Sequence, residues 1–586
     1  MQVNKTTIKA FKQLKNKNVL IFGEDTRSFL SVIRSLGEVE MNVDVVTFSN
    51  RTPSLKSKYI RNRYYFNYQA YDPADWNAKV SDLLLTNEYD IAIPCDERAL
   101  YPLQTFQASL NIKTRFAIPN TAIMAPLFNK VETRLIAQTC GVSVAKGALL
   151  NLTSISYNEL TEQFGSPLVL KPVQSYTSEH LNQRNSVSIV KDKDGFDAFR
   201  KHYSDCLIET YNAGYGVGIS ILAVKGELYA AFAHERVAEP ESGGGSTYRK
   251  ASKIDPSMLD ACQKICSKLR FDGVAMFEFK FNPDTQDWIL IEINARFWGS
   301  LPLAIFAGVN FPAMYAMTLL DYPIDPKFTY NPYAYARNFT SDIYDIKSDF
   351  EQQREKLGLG KASLKLAKRL VGFTRLLTWQ EKIDSFDWQD RAPFVAEFKS
   401  LFQDKVDNLP IIKNNIRKSK ILNLEQVLTE PLNEILVVCY GNIMRSPFAG
   451  ELLKQKLNDA DLQHIKVDSY GFHQHENRSC PTECVELAKS WQLDLSSHRS
   501  KWIKQKDMKP EGQLILIFDH KNQYILEEYY EGFNAISLAA LIPESKGYHS
   551  QIEDPYERNQ EYLAYCYQLI DQALDNLVSQ IQAHYS

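Results

Sequence analysis

No apolar run in these 586 residues approaches the ~20 needed to span a bilayer. The opening stretch, MQVNKTTIKAFKQLKNKNVLIFG, lacks the apolar core and small-residue cleavage site of an export signal. These absences predict a cytoplasmic protein with no transmembrane segment. Cysteine is scarce, at nine residues, and no C-x-x-C pair occurs. Spacings such as Cys262/Cys266 and Cys480/Cys484 fit one helix face, so neither a disulfide framework nor a zinc site is expected. An excess of charge is missing too: 67 Lys and Arg stand against 70 Asp and Glu. No global field therefore argues for nucleic acid or an anionic surface. No G-x-G-x-x-G follows the first apolar segment, so a dinucleotide is not indicated.

Length and alternation are what the chain does have. At ~100–200 residues per domain it is too long for one core. Residues 18–22 followed by Gly23 read as a buried parallel strand, SFLSVIRSLGE has helical spacing, and VDVVTF and DIAIPCD are further apolar runs. This is the alternation of a doubly wound sheet, and it predicts a Rossmann-like unit over residues 1–115. Over 116–325 the pattern changes to strands with hairpin-like connections, among them PLVLKPV, GISILAV, VAMFEFKF and WILIEINARF, which reads as α+β. Residues 326–430 carry fewer strand signals and form a trailing segment and linker. From 431 to 586 strand and helix alternate again through EILVVC, KVDSYG, QLILIFD and NAISL, predicting a central parallel sheet flanked by helices. The expected class is multidomain, part α/β and part α+β.

Glu278 in MFEFK, with Glu292 and Asn294 in IEINAR, forms the first constellation. Residues two apart in a strand share a face, so Glu292 and Asn294 point together while Glu278 approaches from a neighbouring strand. Hard oxygen ligands on rigid strands suit magnesium, and Arg296, two residues further on, would face a transferred phosphate. Lys130 in NKVETRL and Lys171 in LVLKP supply the two ammonium groups a polyphosphate needs. AGYGVG and ESGGGS supply backbone able to approach or cover it. Any one lysine is more often a solvated surface residue, and a strand glutamate is more often an ion-pair partner. Five such residues in this order argue for function.

On these motifs residues 1–420 resemble an ATP-grasp protein of the carbamoyl-phosphate-synthase-like type, with a Rossmann-like domain before the ATP-grasp domain. The resemblance implies that Lys130 and Lys171 hold ATP phosphates and that Glu209, Thr210 and Tyr211 form the adenine-binding hinge. It implies Glu278, Glu292 and Asn294 as ligands of Mg2+, and Arg236, Ser246 and Arg296 on the substrate and phosphate side. The chemistry implied is activation of a small-molecule carboxylate by ATP to an acyl phosphate, which an amine then attacks. In one departure, Gly-Val-Gly-Ile at 216–219 stands where many members carry a second acid for the ribose.

EILVVCYGNIMRSPFAGELL, from Glu434, holds the second constellation: Cys439 and Arg445 in C-x5-R spacing, followed by Ser-Pro. Backbone N–H groups curling between strand and helix make an anion site, and the helix N-terminus adds positive potential. Together with Arg445, that field is expected to lower the thiol pKa and hold Cys439 as a nucleophilic thiolate. A leaving alkoxide or phenoxide would need a proton, and SQIEDPYERN supplies an acid at Asp554. A lone Cys-x5-Arg pair occurs by chance. Gly-Asn, Arg-Ser-Pro and the distant Asp-Pro in the same chain argue against a merely structural cysteine.

Residues 434–586 accordingly resemble the low-molecular-weight protein tyrosine phosphatases. The resemblance implies Cys439 as nucleophile, Arg445 as bidentate phosphate clamp and Asp554 as general acid and then base. It implies that Asn442 braces the loop and that Ser446 eases departure of the thiolate; Asp519 begins the polar turn of a further shared segment. Met444 replaces a second cysteine of the family pattern. Glu557 stands where a second tyrosine is common, which tilts the expected substrate from a phosphotyrosine protein toward a small-molecule phosphoester.

Between these regions, Leu366, Leu370, Phe373 and Leu377 of KASLKLAKRLVGFTRLLTW (361–379) fall on one helical face, with Lys361, Lys365, Lys368, Arg369 and Arg375 outside it. Such a helix can lie on a membrane surface. The expectation is a docked helix with a solvated charged face. The whole chain reads as a bifunctional enzyme, a ligase joined to a phosphatase; the alternative is a phosphatase whose ATP-grasp half senses nucleotide or docks a partner.

Overall fold

Every residue of Asn18–Phe22 after the first is buried, as an interior parallel strand covered on both faces requires. This strand, β1, is central in a parallel sheet of order β3-β2-β1-β4-β5, with β2 (Asn42–Thr47), β3 (Ile60–Tyr65), β4 (Ile91–Pro94) and β5 (Arg115–Phe116). The computed structural model describes residues 10–585 apart from 110–111, 178–180, 182–183, 239–245, 358–359, 362, 364–365, 368, 370–371, 377, 408–423, 429–430, 543–549 and 557. The chain falls into two units, Met1–Phe66 with Asn77–Asn408, and Asn67–Trp76 with Leu409–Ser586.

In the first unit an antiparallel sheet follows, of order β6-β9-β7-β8, from β6 (Gly147–Asn151), β7 (Leu168–Pro172), β8 (Ser188–Val190) and β9 (Asp205–Thr210). A larger sheet runs β14-β13-β10-β11-β12-β15-β16, with β10 (Tyr215–Val224), β11 (Glu227–Ala238), β12 (Tyr248–Ser252), β13 (Gly273–Phe281), β14 (Trp288–Asn294), β15 (Tyr335–Arg337) and β16 (Glu381–Ile383). Its first five strands are antiparallel, and the short β15 and β16 run parallel to each other at one edge. Apolar helices Leu301–Ala307 and Phe311–Leu319 are buried against Val32, Ile33 and Leu36 of the helix Ser28–Glu38 in one shared core. No single helix among the described residues is long and apolar enough to cross a membrane.

The stretch 361–379 departs from its expected solvated face. Leu370, Leu377, Lys365 and Lys368 lie outside the described residues, and Gly372–Leu376 is a 3-10 turn. Arg369 pairs with Asp342 at 2.7 Å and with Asp345 at 2.5 Å, while the Arg375 guanidinium lies over the Tyr335 ring. These two basic side chains turn inward because buried carboxylates and aromatic faces wait there. The same region holds Arg337 between Glu381, at 2.7 Å, and Asp342, and Arg249 on both carboxylate oxygens of Asp384.

In the second unit β17 (Glu434–Cys439) lies inside a fully parallel sheet of order β18-β17-β19-β20, with β18 (Lys466–Gly471), β19 (Gln513–Ile517) and β20 (Ala535–Ser537). The helix Arg445–Asp459 meets the long helix Gln560–Tyr585, where Phe448 stacks on Tyr567 with centroids 3.7 Å apart. Residues 67–76 belong to this unit: the Gln69 carbonyl accepts from Tyr530 Oη at 2.9 Å and Trp502 Nε1 at 3.1 Å.

Candidate active sites

The register of the large sheet builds the first site. Glu292 of β14 lies opposite Glu278 of β13, which lies opposite Gly218 of β10 and then His234 of β11. One rung away, Lys280 faces Gly216, and Arg236 faces Arg249 of β12. Glycine at 218 leaves the floor open: a Cβ there would meet the His234 ring at 2.1 Å. The resulting cleft, of about 680 Å3, is lined by Lys130, Lys171, Glu209, Thr210, Tyr211, Arg236, Ser246, Glu278, Glu292, Asn294 and Arg296. All ten residues named for the nucleotide, metal and substrate, with Arg296, therefore share one cavity.

Lys130 opens the helix Lys130–Thr139, whose N-cap Asn129 accepts from Val131 N and Glu132 N. Its ammonium lies 3.3 Å from Ser175 Oγ. Burial pushes its pKa down, and Glu292 and Glu97 oppose that shift. Lys171 pairs with Glu209 at 2.6 Å, and Arg134 reaches the same carboxylate at 3.3 Å. Thr210 and Tyr211 follow Glu209 along the cleft wall. Ser246 Oγ sits 2.8 Å from the Ala238 carbonyl and 2.7 Å from that of Tyr248, so its hydroxyl is already engaged. Arg296 is held on Glu97 and on Asn294 Oδ1, each at 3.3 Å.

Glu278 and Glu292 converge on one atom: Asn294 Nδ2 donates to Glu278 Oε1 at 3.3 Å and to Glu292 Oε1 at 3.1 Å. Arg236 closes on Glu278 in a tight ion pair. Burial works to raise the Glu292 pKa, but Lys130, the Asn294 amide and Lys171 outweigh it and hold the carboxylate below its usual range. Two carboxyl groups meeting at one side-chain amide form an oxygen-rich set that a hard divalent cation fits. Rotation of the Asn294 amide by 180° would add its oxygen to that set. His234, stacked beside Phe232, is held neutral: burial, then Arg236 and Arg249, lower its pKa to about 3.

The second site grows from the turn after β17. Asn442 sits at φ 52°, a left-handed conformation asparagine tolerates, and this aims its N–H at Cys439 Sγ, 3.2 Å away. Its side chain donates to Ser446 Oγ at 2.9 Å and Ser469 Oγ at 3.1 Å and accepts from Lys501 N at 2.8 Å. Ser446 Oγ in turn lies 3.1 Å from Cys439 Sγ. Cys439, Asn442, Arg445 and Ser446 are all buried, at 3%, 0%, 1% and 0% exposure, and Arg445 begins a helix with no side-chain cap.

Arg445 Nη1 donates to Asp519 Oδ2 at 2.6 Å and to the Ile552 carbonyl at 2.9 Å. Nη2 lies 2.7 Å from Asp554 Oδ2. That approach falls off the N–H direction, so Nε and Nη2 both retain unused hydrogens. Burial alone would lower the guanidinium pKa; Cys439, Asp554 and Asp519 outweigh it and raise it. Asp519 also caps the helix His520–Tyr529 by accepting from Asn522 N at 2.8 Å. Met444 is buried and Tyr556 exposed, while Glu557 lies outside the described residues.

Arg27, Arg249 and Trp298 also line the cleft, and Asp519 bonds Arg445; sequence reasoning missed all four contacts, since no residue spacing around them signals a shared cavity or bond.

Residues 434–586 match the family model described as low molecular weight phosphotyrosine protein phosphatase, and residues 202–336 match ATP-grasp in the biosynthetic pathway with Ter operon. Relatives of the C-terminal part include the low molecular weight protein-tyrosine-phosphatase Etp of Escherichia coli K12, 26% identical over 150 residues, covering 24% of this chain and 89% of Etp. PtpA of Staphylococcus aureus MRSA252 is 24% identical over 161 residues, covering 25% of this chain and 93% of PtpA. Among solved structures, an L-amino acid ligase from Bacillus licheniformis is 19% identical with a TM-score of 0.43, covering 53% of this chain and 75% of the ligase. The biotin carboxylase domain of a Hydrogenobacter thermophilus 2-oxoglutarate carboxylase is 13% identical with a TM-score of 0.44, covering 54% and 73%.

Proposed function

We propose that this chain, which carries an ATP-grasp domain and a low-molecular-weight phosphatase domain, is a bifunctional enzyme with one reaction in each. The observation that carries the phosphatase reading is the Nε and Nη2 edge of buried Arg445, which makes no hydrogen bond among the described residues and meets only the Asp554 carboxylate as an ion pair, together with the turn that aims Asn442 N–H and Ser446 Oγ at Cys439 Sγ. Two parallel N–H groups in that fork match two phosphate oxygens. Cys439 thiolate attacks phosphorus of a phosphomonoester, the bond to the leaving oxygen breaks, and Asp554 gives that oxygen its proton. Asp554 then takes a proton from the water that attacks the phosphocysteine, releasing phosphate, while Ser446 donates to the departing sulfur. A small-molecule phosphoester is the favoured substrate over phosphotyrosine in a protein.

In the ligase half, Lys130 and Lys171 hold the phosphates of ATP and the backbone of 209–211 its base. Glu278, Glu292 and Asn294 would hold Mg2+, which when bound neutralises charge on the phosphates. Arg236, Ser246 and Arg296 face the carboxylate to be activated, and an amine completes the reaction.

The test uses full-length protein. Cys439→Ser should abolish hydrolysis of p-nitrophenyl phosphate; surviving hydrolysis refutes the phosphatase assignment. Calorimetry with Mg-ATP addresses the other half: no binding refutes the ligase, and binding without turnover in any pool of acids and amines supports the sensor alternative.

A further inference from the structure

Two buried donors on the wall of the ligase cleft have no partner among the described residues: Arg249 Nε and Trp298 Nε1. Each residue is 1% exposed. Both atoms can only donate, so an orphaned position there costs free energy until an acceptor arrives. Arg27 lines the same cleft, and its guanidinium likewise has no hydrogen-bond or ion-pair partner among the described residues. It lies across Gly299, where a Cβ would stand 3.1 Å from Arg27 Cζ and Nη1. Glycine thus leaves the room in which this guanidinium sits.

Charge points the same way. Eight basic and three acidic side chains line the cleft. Lys171, Arg236, Arg249 and Arg296 are matched by Glu209, Glu278, Asp384 and Glu97, Lys130 lies beside Glu292, and Lys280 is also engaged. Arg184 is at the nucleotide end, just before β8, the neighbour of the strand that carries Lys171. Arg27 lies beside Gly299. A polyphosphate accounts for Lys130, Lys171 and Arg184 and leaves Arg27, with the two orphaned donors, unexplained.

We propose that Arg27, Arg249 Nε and Trp298 Nε1 bind a second anionic group of the acid activated in this cleft. The ligase substrate is then an acid with two anionic groups: a carboxylate that is phosphorylated, and a further carboxylate or phosphate held under Arg27. The inference rests on the ligase reading above. Guanidinium and indole N–H donors recognise oxyanions of either kind.

The experiment uses the full-length Cys439→Ser protein, which keeps the phosphatase half from stripping phosphorylated probes. Mg-ATP, hydroxylamine and matched acids are supplied: succinate against succinamate, and O-phosphoserine against serine. The carboxylate oxygen takes the γ-phosphoryl group with loss of ADP; hydroxylamine nitrogen then attacks the acyl carbon, phosphate leaves, and a hydroxamate is measured. At least one dianionic acid should exceed its partner by tenfold or more in kcat/KM, the successful pair distinguishing carboxylate from phosphate. Arg27→Gln should erase that preference and Arg27→Lys should retain part of it, with the KM for Mg-ATP and the melting midpoint unchanged. Equal or absent turnover within every pair, or a preference that survives Arg27→Gln, overturns the inference while Mg-ATP binding leaves the ligase reading standing. Absence of Mg-ATP binding overturns both.

Discussion

Arg445 Nη2 and Asp554 Oδ2 lie 2.7 Å apart, so the two residues proposed as phosphate clamp and proton donor pair with each other. In the proposed mechanism a phosphate on the Nη2 edge of Arg445 competes with the Asp554 carboxylate for that guanidinium.

Asp554→Asn should therefore have two opposite effects. Losing the proton donor should lower kcat by about 10²–10⁴-fold, most for leaving groups of high pKa. Losing the competing charge should tighten inhibition by inorganic phosphate several-fold. Steady-state rates over a series of aryl and alkyl phosphates, with phosphate inhibition constants, check both; an unchanged dependence on the leaving group would remove Asp554 from the proton-donor role.

Asn442 carries more of the nucleophile turn than its length suggests. Its left-handed backbone aims N–H at sulfur, and its amide is bonded to Ser446, Ser469 and Lys501. Asn442→Ala should destabilise the C-terminal unit by about 2–4 kcal/mol, from the backbone conformation and several unmade bonds. It should also lower kcat more than KM, because the sulfur is aimed rather than the phosphate bound. Urea unfolding and hydrolysis kinetics on the same protein give both numbers.

The groupings that are local in the chain were legible from sequence: Cys439, Asn442, Arg445 and Ser446 lie within eight positions, and Glu292 and Asn294 share a strand face. β1, β2, β4, β17 and β19 were legible for a similar reason, as buried parallel strands read as apolar runs. β3 was not, because IRNRYY is an edge strand with exposed polar side chains. β15 and β16 have three residues each, too few to show a period. Inward-facing Arg369 and Arg375 were hidden for another reason: amphipathic spacing cannot register the carboxylates at 342 and 345 that meet Arg369, or the Tyr335 ring that lies under Arg375.

Arg249 and Asp384 form a buried, doubly bonded ion pair, at 2.5 and 2.6 Å. Removing one partner strands a charge, whereas removing both does not. Asp384→Ala should cost about 3–5 kcal/mol, and the double replacement Arg249→Met with Asp384→Leu should cost less than that single change. Chemical denaturation of the three proteins decides it. A double variant less stable than the single would mean that the pair itself, rather than its desolvation, supports the fold.

His234 ties stability of the ligase unit to pH. Its pKa falls from 6.5 to about 3 on folding, through burial first and then Arg236 and Arg249. Between these values the unfolded chain binds a proton that the folded chain does not, so stability rises with pH across that window. The contribution is complete above about pH 6.5 and is lost progressively as pH falls toward about 3, up to roughly 3–5 kcal/mol in all. His234→Gln removes the titrating group, and Gly218 beneath it leaves room for the shorter chain. The variant should show a shallower loss of unfolding free energy between pH 7 and pH 5 than wild type. Equal slopes for the two proteins would place the acid sensitivity of this unit on its carboxylates and leave His234 protonated, or exposed, in the folded state.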